Sequence, residues 1–287
     1  MFHEETFDSG EVSLNIARGA STGPPLLCLH GVLRRWSDFV PLFPTLASRW
    51  QIFGLDFRGH GESGFVPDKY LVHDYVRDAV AVVRDLLTEP VVIYGHSLGA
   101  MVAAGAAAEA PDRVRAIVLE DPPFHTLGSR IRETPFHGQF VGYAQIVELD
   151  KPAEQIGAEL AELRVAVPGG NENELVRLGD LRDGASLRFS ARCLSQVDPG
   201  VLAPIVAGQW LDGYDWQTAA SHLQCPVLLL QADAAAGGML TPTDAARFQQ
   251  LAPQTTLVRF PGVGHLIHWM ATEATVRVVG TFLESLR

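Results

Sequence analysis

The stretch Val91-Val92-Ile93-Tyr94-Gly95-His96-Ser97-Leu98-Gly99 begins as a buried β-strand and breaks off at a turn. Its β-branched and aromatic residues suit a pleated surface. The next nine residues, Ala100-Met101-Val102-Ala103-Ala104-Gly105-Ala106-Ala107-Ala108, are alanine-rich and read as helix. A strand that passes into a helix through Gly-x-Ser-x-Gly is a nucleophile elbow, a strained bend that lifts the serine hydroxyl above the strand ends. Gly95 and Gly99 flank Ser97 for a steric reason: neighbouring backbone passes too close for a side chain there. The bend also sets Ser97 at the positive end of the helix that follows. The pentapeptide alone carries little weight; the strand before it and the helix after it decide the reading.

Composition bounds what surrounds this centre. A chain of 287 residues with 47% hydrophobic content buries a large core, as one α/β domain or as a domain with an insertion. Net charge is −11 and no run of Lys and Arg is long enough for a nucleic-acid or anionic-membrane footprint, so neither partner is expected. Cys28, Cys193 and Cys225 are widely spaced, and the first and last lie in apolar strand-like runs, which suits small buried hydrophobes rather than disulfides. Met1 to Glu5 lacks the basic and apolar regions of a secretory signal, and no apolar stretch approaches the ~20 residues that span a bilayer. A cytoplasmic protein is expected.

In chain order, Val12 to Ala17 alternates like an early hairpin strand, and Pro24-Pro25 opens the apolar run Leu26-Leu27-Cys28-Leu29 that ends in His30-Gly31. Trp36 to Trp50 reads as an amphipathic helix despite Pro41 and Pro44. A short strand at Gln51 to Asp56 precedes the glycine-dense turn Arg58 to Gly64. A helix follows over Val72 to Leu87, and a strand at Val114 to Glu120 ends at Asp121-Pro122-Pro123. From Phe124 to about Gln224 short helical stretches alternate with Gly- and Pro-containing loops, and no strong strand is apparent. Strand signal returns at Pro226 to Gln231 and Thr256 to Phe260, with helices at Thr243 to Leu251 and Ala271 to Leu286. Strands alternating with helices indicate a mostly parallel sheet with helices on both faces. The expected organisation is a core domain over 1–123 and 225–287, with a helical cap over 124–224 inserted after the sixth strand.

The ordered set His30-Gly31, Asp56-Phe57-Arg58-Gly59-His60-Gly61-Glu62-Ser63, Gly95-His96-Ser97-Leu98-Gly99, Pro111-Asp112-Arg113-Val114 and Gly262-Val263-Gly264-His265 resembles the α/β-hydrolase fold superfamily. Within it the chain is similar to capped serine esterases. The resemblance implies an eight-stranded sheet and the chain order nucleophile, acid, histidine. Ser97 needs an adjacent base, and His265 is the best of the ten histidines, on a flexible loop that leads back over the strand ends. His268 is its local competitor, read as a packing or cap-contact residue. His30, His60 and His96 read as hydrogen-bonded structural histidines, and no pair has metal-site spacing, so no metal is expected.

The acid is where the chain departs from the commonest pattern. Asp233 follows the penultimate strand but sits close to its end, and Ala235 fills the place a little further on. Some superfamily members carry the acid directly after the strand that follows the elbow helix, which is Asp121 here. Asp121 is preferred, with Asp233 and then Glu120 as alternatives; a turn-forming Asp before Pro122 is its competing structural role. Oxyanion donors are expected from the Leu98 N–H and from Val32, with Leu33 second. Arg34 and Arg35 follow, read as surface cations or as groups that meet a substrate carboxylate or carbonyl. Pocket candidates are Leu33, Phe124, Trp210, Tyr214 and His268, with His125, Phe136, Phe140 and Trp216 beside them. The expected activity is cofactor-free hydrolysis of a carboxylic ester or lactone, a small-molecule substrate, by Ser97, His265 and Asp121. C–C bond, amide or peracid chemistry and a non-catalytic ligand receptor are the alternatives.

Overall fold

The computed structural model describes residues 2–148, 151–167, 169 and 174–286. Its strands are β1 (His3–Asp8), β2 (Ser13–Arg18), β3 (Pro25–Leu29), β4 (Gln51–Leu55), β5 (Val91–His96), β6 (Val114–Glu120), β7 (Arg164–Ala166), β8 (Leu175–Arg177), β9 (Val227–Ala232) and β10 (Thr255–Phe260). Eight of them form one sheet in the order β1-β2-β4-β3-β5-β6-β9-β10. β2 runs antiparallel to β1 and β4, and every later neighbour pair is parallel. The mostly parallel eight-stranded α/β sheet expected from the sequence is the one observed.

Side chains alternate along each strand, so each strand feeds two cores. Val91 and Ile93 of β5 join Leu27, Leu29, Ile117 and Leu229 on one face, which the Val72–Ala81, Leu98–Glu109 and Pro242–Leu251 helices cover. Val92 and Tyr94 join Leu26, Cys28, Val118 and Leu228 on the other, under the Trp36–Leu46 segment and the Thr272–Ser285 helix. Central strands buried on both faces explain the unbroken apolar runs in the sequence.

Three local expectations change. Trp36 to Trp50 is a 3-10 helix over Trp36–Leu42 and one α turn over Phe43–Leu46, because Pro41 and Pro44 each remove an amide donor that a longer α-helix needs. β1 escaped the sequence reading because its HEETFD pattern is mostly exposed and polar, as suits a sheet edge. Between β6 and β9 the short strands β7 and β8 pair antiparallel, where no strand was expected; three residues are too few to establish an alternation.

Candidate active site

Ser97 sits where β5 ends and the Leu98–Glu109 helix begins, with φ 55° and ψ −115°. A non-glycine residue there is strained by roughly 1–3 kcal/mol. The strain is held by a Ser97 N–H bond to Glu120 O (2.9 Å) and by the helix, nearly every residue of which is buried. A β-carbon at Gly95 would overlap the Gly99 carbonyl, and one at Gly99 would overlap the Leu29 carbonyl. The two glycines are therefore what lets the helix start seat against β3 and β5. Leu33 and Asp121 also have positive φ, at 63° and 45°. Strained backbone thus gathers at the C-terminal ends of β3, β5 and β6, where parallel sheets build their sites.

His265 arrives on the loop after β10. Its Nδ1 lies 2.6 Å from Asp121 Oδ2. Asp121 is fully buried and directly follows β6; its Oδ1 accepts from the Ala232 (3.1 Å) and Leu240 (3.2 Å) amides and its Oδ2 from Met239 N–H (2.8 Å). Four donors leave the carboxylate one orientation. Asp233, the alternative acid, faces elsewhere: Oδ1 caps a 3-10 turn through Ala235 N–H (2.9 Å) and Oδ2 accepts from Gly262 N–H (2.8 Å). Those two amides, Gly262 first, hold its carboxyl below the usual range. Asp233 braces the loop that carries His265 without touching the imidazole.

Glu120, the third alternative, pairs with the other histidine. Its Oε1 accepts from His268 Nδ1 (2.7 Å) and His268 N–H (3.0 Å), and its Oε2 from Tyr94 OH (2.6 Å). Burial opposes charge on both partners, yet the attraction wins: the Glu120 carboxyl falls to about 2, and Glu120 with Asp38 lifts His268 to about 9. Two adjacent acids, Glu120 and Asp121, thus grip two histidines three residues apart. His268 is fully buried and does not line the cavity, which corrects its place among the pocket candidates. The same buried pairing explains why it sits in the short Ile267–Met270 turn rather than at the surface.

The Val32 N–H has no acceptor among the described residues, and Leu98 N–H opens its helix without an intrahelical partner. Leu33 N–H, the second choice, is taken by His60 Nε2 at 3.1 Å. That bond requires a neutral His60 whose Nδ1–H donates to Arg58 O (2.9 Å), and burial lowers its pKa to about 3. His30 and His96 are likewise neutral, lowered by burial to about 4 and about 3, with the nearby His265 also acting on His96. His30 Nε2 accepts from Phe57 N–H (3.1 Å), and His96 Nε2–H donates to His265 O (3.1 Å). The three motif histidines are hydrogen-bonding struts, as expected.

Ser97, His265 and Val32 open on one cavity of about 520 Å³. Leu33, Phe136 and Phe140 line it as expected, together with Tyr143, Leu178, Phe189 and Trp269. Phe124, Trp210 and Tyr214 do not. Phe124 stacks on Trp216 (4.2 Å between centroids) and Phe248 (5.6 Å) beneath the sheet's helices, and Trp210 is fully buried in that core. Tyr214 donates to Met101 O (2.7 Å) on the elbow helix. These aromatics anchor the two ends of the 124–224 segment to the core, so their burial serves packing. A second hollow of about 360 Å³ shares Phe136, Gln139, Gly237 and Met239 but touches neither Ser97 nor His265.

Arg34 is not a solvated surface cation. It is 8% exposed and on the cavity wall, with Nε 3.0 Å and Nη2 2.8 Å from Asp38 Oδ1, Nη1 donating to Ser190 Oγ (3.1 Å) and the guanidinium over the Phe189 ring (4.8 Å). Asp38, absent from the sequence reading, also accepts from the Trp269 indole (2.9 Å) and lies 3.5 Å from His268 Nε2. The signal for it was slight, an acid four residues after an arginine. His96, Glu120 and His268 form a group with metal-binding donor types among the described residues. An imidazolium clasped by two carboxylates has no lone pair for a cation, so the group does not suit a metal.

A family model described as alpha/beta hydrolase fold matches residues 24–272. A protein of Mesorhizobium japonicum named 2-(acetamidomethylene)succinate hydrolase is 26% identical over 292 residues, covering 99% of this chain and 96% of that one. A serine hydrolase-like protein of Danio rerio is 40% identical over 105 residues, 36% of this chain and 32% of its own length. The crystal structure of an E-2-(acetamidomethylene)succinate hydrolase superposes with TM-score 0.76 over 99% of this chain and all of that one, at 23% identity, which speaks to the fold.

Proposed function

Since the chain belongs to the α/β-hydrolase fold family, we propose that it is a serine hydrolase cleaving a carboxylic ester or lactone through an acyl-enzyme on Ser97. The observation that carries this is the 2.6 Å contact between His265 Nδ1 and buried Asp121, beside the cavity that Ser97 also lines. With Nδ1–H donated to Asp121, the Nε2 lone pair is the one left to act as base. Ser97 Oγ attacks the carbonyl carbon as its proton passes to His265. The tetrahedral oxyanion is met by the Val32 and Leu98 N–H groups. Collapse expels the alcohol, which takes the proton from His265. Water then attacks the acyl-enzyme, giving its proton to His265 and releasing the acid as Ser97 regains its hydroxyl. Every proton comes from the chain or from water, so the step needs no cofactor. The 124–224 segment, which supplies much of the cavity wall, serves as the lid.

A second reading, amide hydrolysis on the same groups, is favoured by the name of the Mesorhizobium japonicum relative, whose 26% identity extends over nearly the whole chain. Both readings make Ser97→Ala the decisive variant. It is expected to lower turnover of p-nitrophenyl acetate by at least about 10⁴-fold while the circular dichroism spectrum is kept. A fluorophosphonate is expected to label the parent and not the variant. Retained activity or unchanged labelling removes Ser97 as nucleophile.

A further inference from the structure

Four ionisable side chains form a row from beneath the strand ends to the cavity: Glu120, His268, Asp38 and Arg34. Glu120 Oε1 is 2.7 Å from His268 Nδ1, His268 Nε2 is 3.5 Å from Asp38 Oδ2, and Asp38 Oδ1 is 2.8 Å from Arg34 Nη2. All four are nearly or fully buried. With His268 protonated the charges alternate −, +, −, +, and they sum to zero. A neutral row is what makes so many buried charges tolerable. Its two ends differ in exposure: the negative end is closed off by Tyr94 OH, and the positive end is on the cavity wall.

We propose that Arg34 is an anion subsite that selects substrates bearing a carboxylate close to the scissile ester or amide, a refinement that rests on the reading of Ser97 as nucleophile. A guanidinium has five N–H donors. Asp38 takes the one on Nε and one on Nη2, and Ser190 takes one on Nη1, so among the described residues one N–H on each terminal nitrogen is left for a ligand. The fork is already ordered by Asp38, Ser190 and the Phe189 ring, so little side-chain entropy remains to be lost on binding. Arg34 stands two residues after Val32, and its amide closes the Gly31–Arg34 turn on Gly31 O (3.2 Å), so the fork and the oxyanion donor belong to one small loop. That places the bound anion a short spacer away from the reacting carbonyl.

The charges on the rest of the cavity agree. Arg182 is a second cation among the lining residues, and the one carboxylate that lines the cavity among the described residues, Asp183, is spent capping the Gly184–Leu194 helix through Ala185 and Ser186 N–H (2.8 Å each). The selectivity is local, since the net charge of −11 repels anions from the molecule as a whole.

Calorimetry with glutarate and its neutral isostere glutaramide tests the subsite without turnover, on the parent and on Ser97→Ala. Glutarate is expected to bind at least tenfold tighter than glutaramide to both proteins, and Arg34→Gln is expected to erase that preference. Steady-state hydrolysis of monoethyl glutarate against ethyl 4-carbamoylbutanoate should show the same ratio, carried by KM. Equal affinity of the parent for the two ligands overturns the proposal, as does an Arg34→Gln variant that loses both ligands alike. Selective glutarate binding by a protein whose Ser97 a fluorophosphonate does not label leaves the subsite standing and removes the hydrolase reading, so the two ideas fail separately.

Discussion

Among single side chains, Asp121 and Asp233 are of one type and differ in burial and in what their oxygens touch. Asp121 meets the His265 imidazole and three backbone amides, whereas Asp233 meets only the amides of its own turn and of Gly262. Asp121→Asn is expected to lower kcat on a soluble ester by on the order of 10³–10⁴, because an amide no longer holds the required imidazole tautomer. Asp233→Asn should cost less than about tenfold, since the loop keeps its Asp233 N–H bond to Val263 O (2.8 Å). Steady-state kinetics of the two variants beside the parent decide it, and a larger loss in Asp233→Asn reverses the assignment. Both aspartates follow neighbouring strands of the sheet, which is why the sequence leaves them as alternatives.

At the scale of the elements, the elbow depends on the helix Leu98–Glu109 being able to start flush against β3. Gly99→Ala puts a methyl group into the Leu29 carbonyl and should destabilise the protein by roughly 3 kcal/mol or more, read as a lower urea midpoint. The join between β6 and the Ile267–Met270 turn is an ion pair whose strength depends on pH. His268 is raised to about 9 from the ordinary 6.5, so its stabilisation is complete below pH 6.5 and is lost as pH rises through 9. Glu120 is depressed to about 2 from 4.5, so its part is present above pH 4.5 and is lost as pH falls through 2. The pair therefore contributes most between these two ranges. Urea unfolding from pH 6.5 to 9.5 should show the parent losing on the order of 2 kcal/mol more than His268→Gln does. Parallel pH curves for the two proteins refute the buried imidazolium.

Across the whole molecule, one apolar cluster runs from β5 and β6 through the Leu98–Glu109 helix into Phe124, Leu127, Phe140, Val201, Trp210 and Trp216 of the segment between β6 and β9. A shared core makes that segment and the sheet unfold together. Tryptophan fluorescence, from Trp36, Trp50, Trp210, Trp216 and Trp269, and far-ultraviolet circular dichroism should give coincident urea transitions. Separate midpoints would mean that the segment is an independent folding unit. This continuity is also why the aromatics of the segment were hard to place from the sequence. Phe124 and Trp210 satisfy the same apolar pattern whether they face a ligand or a helix, and only the packing sends them inward.

The order of apolar runs and the glycines around Ser97 were enough to determine the parallel sheet and the bend that carries Ser97, because period-2 burial and steric exclusion at a bend act within a few residues. Which acid reaches His265, where Arg34 points and why His268 is buried were decided by the tertiary structure. Each depends on groups far apart in the chain: Asp121 with His265, Asp38 with Trp269 and His268, Arg34 with Ser190. Electrostatic pairing in a low-dielectric interior is settled by distances of a few ångströms, and no local pattern of residue types encodes those.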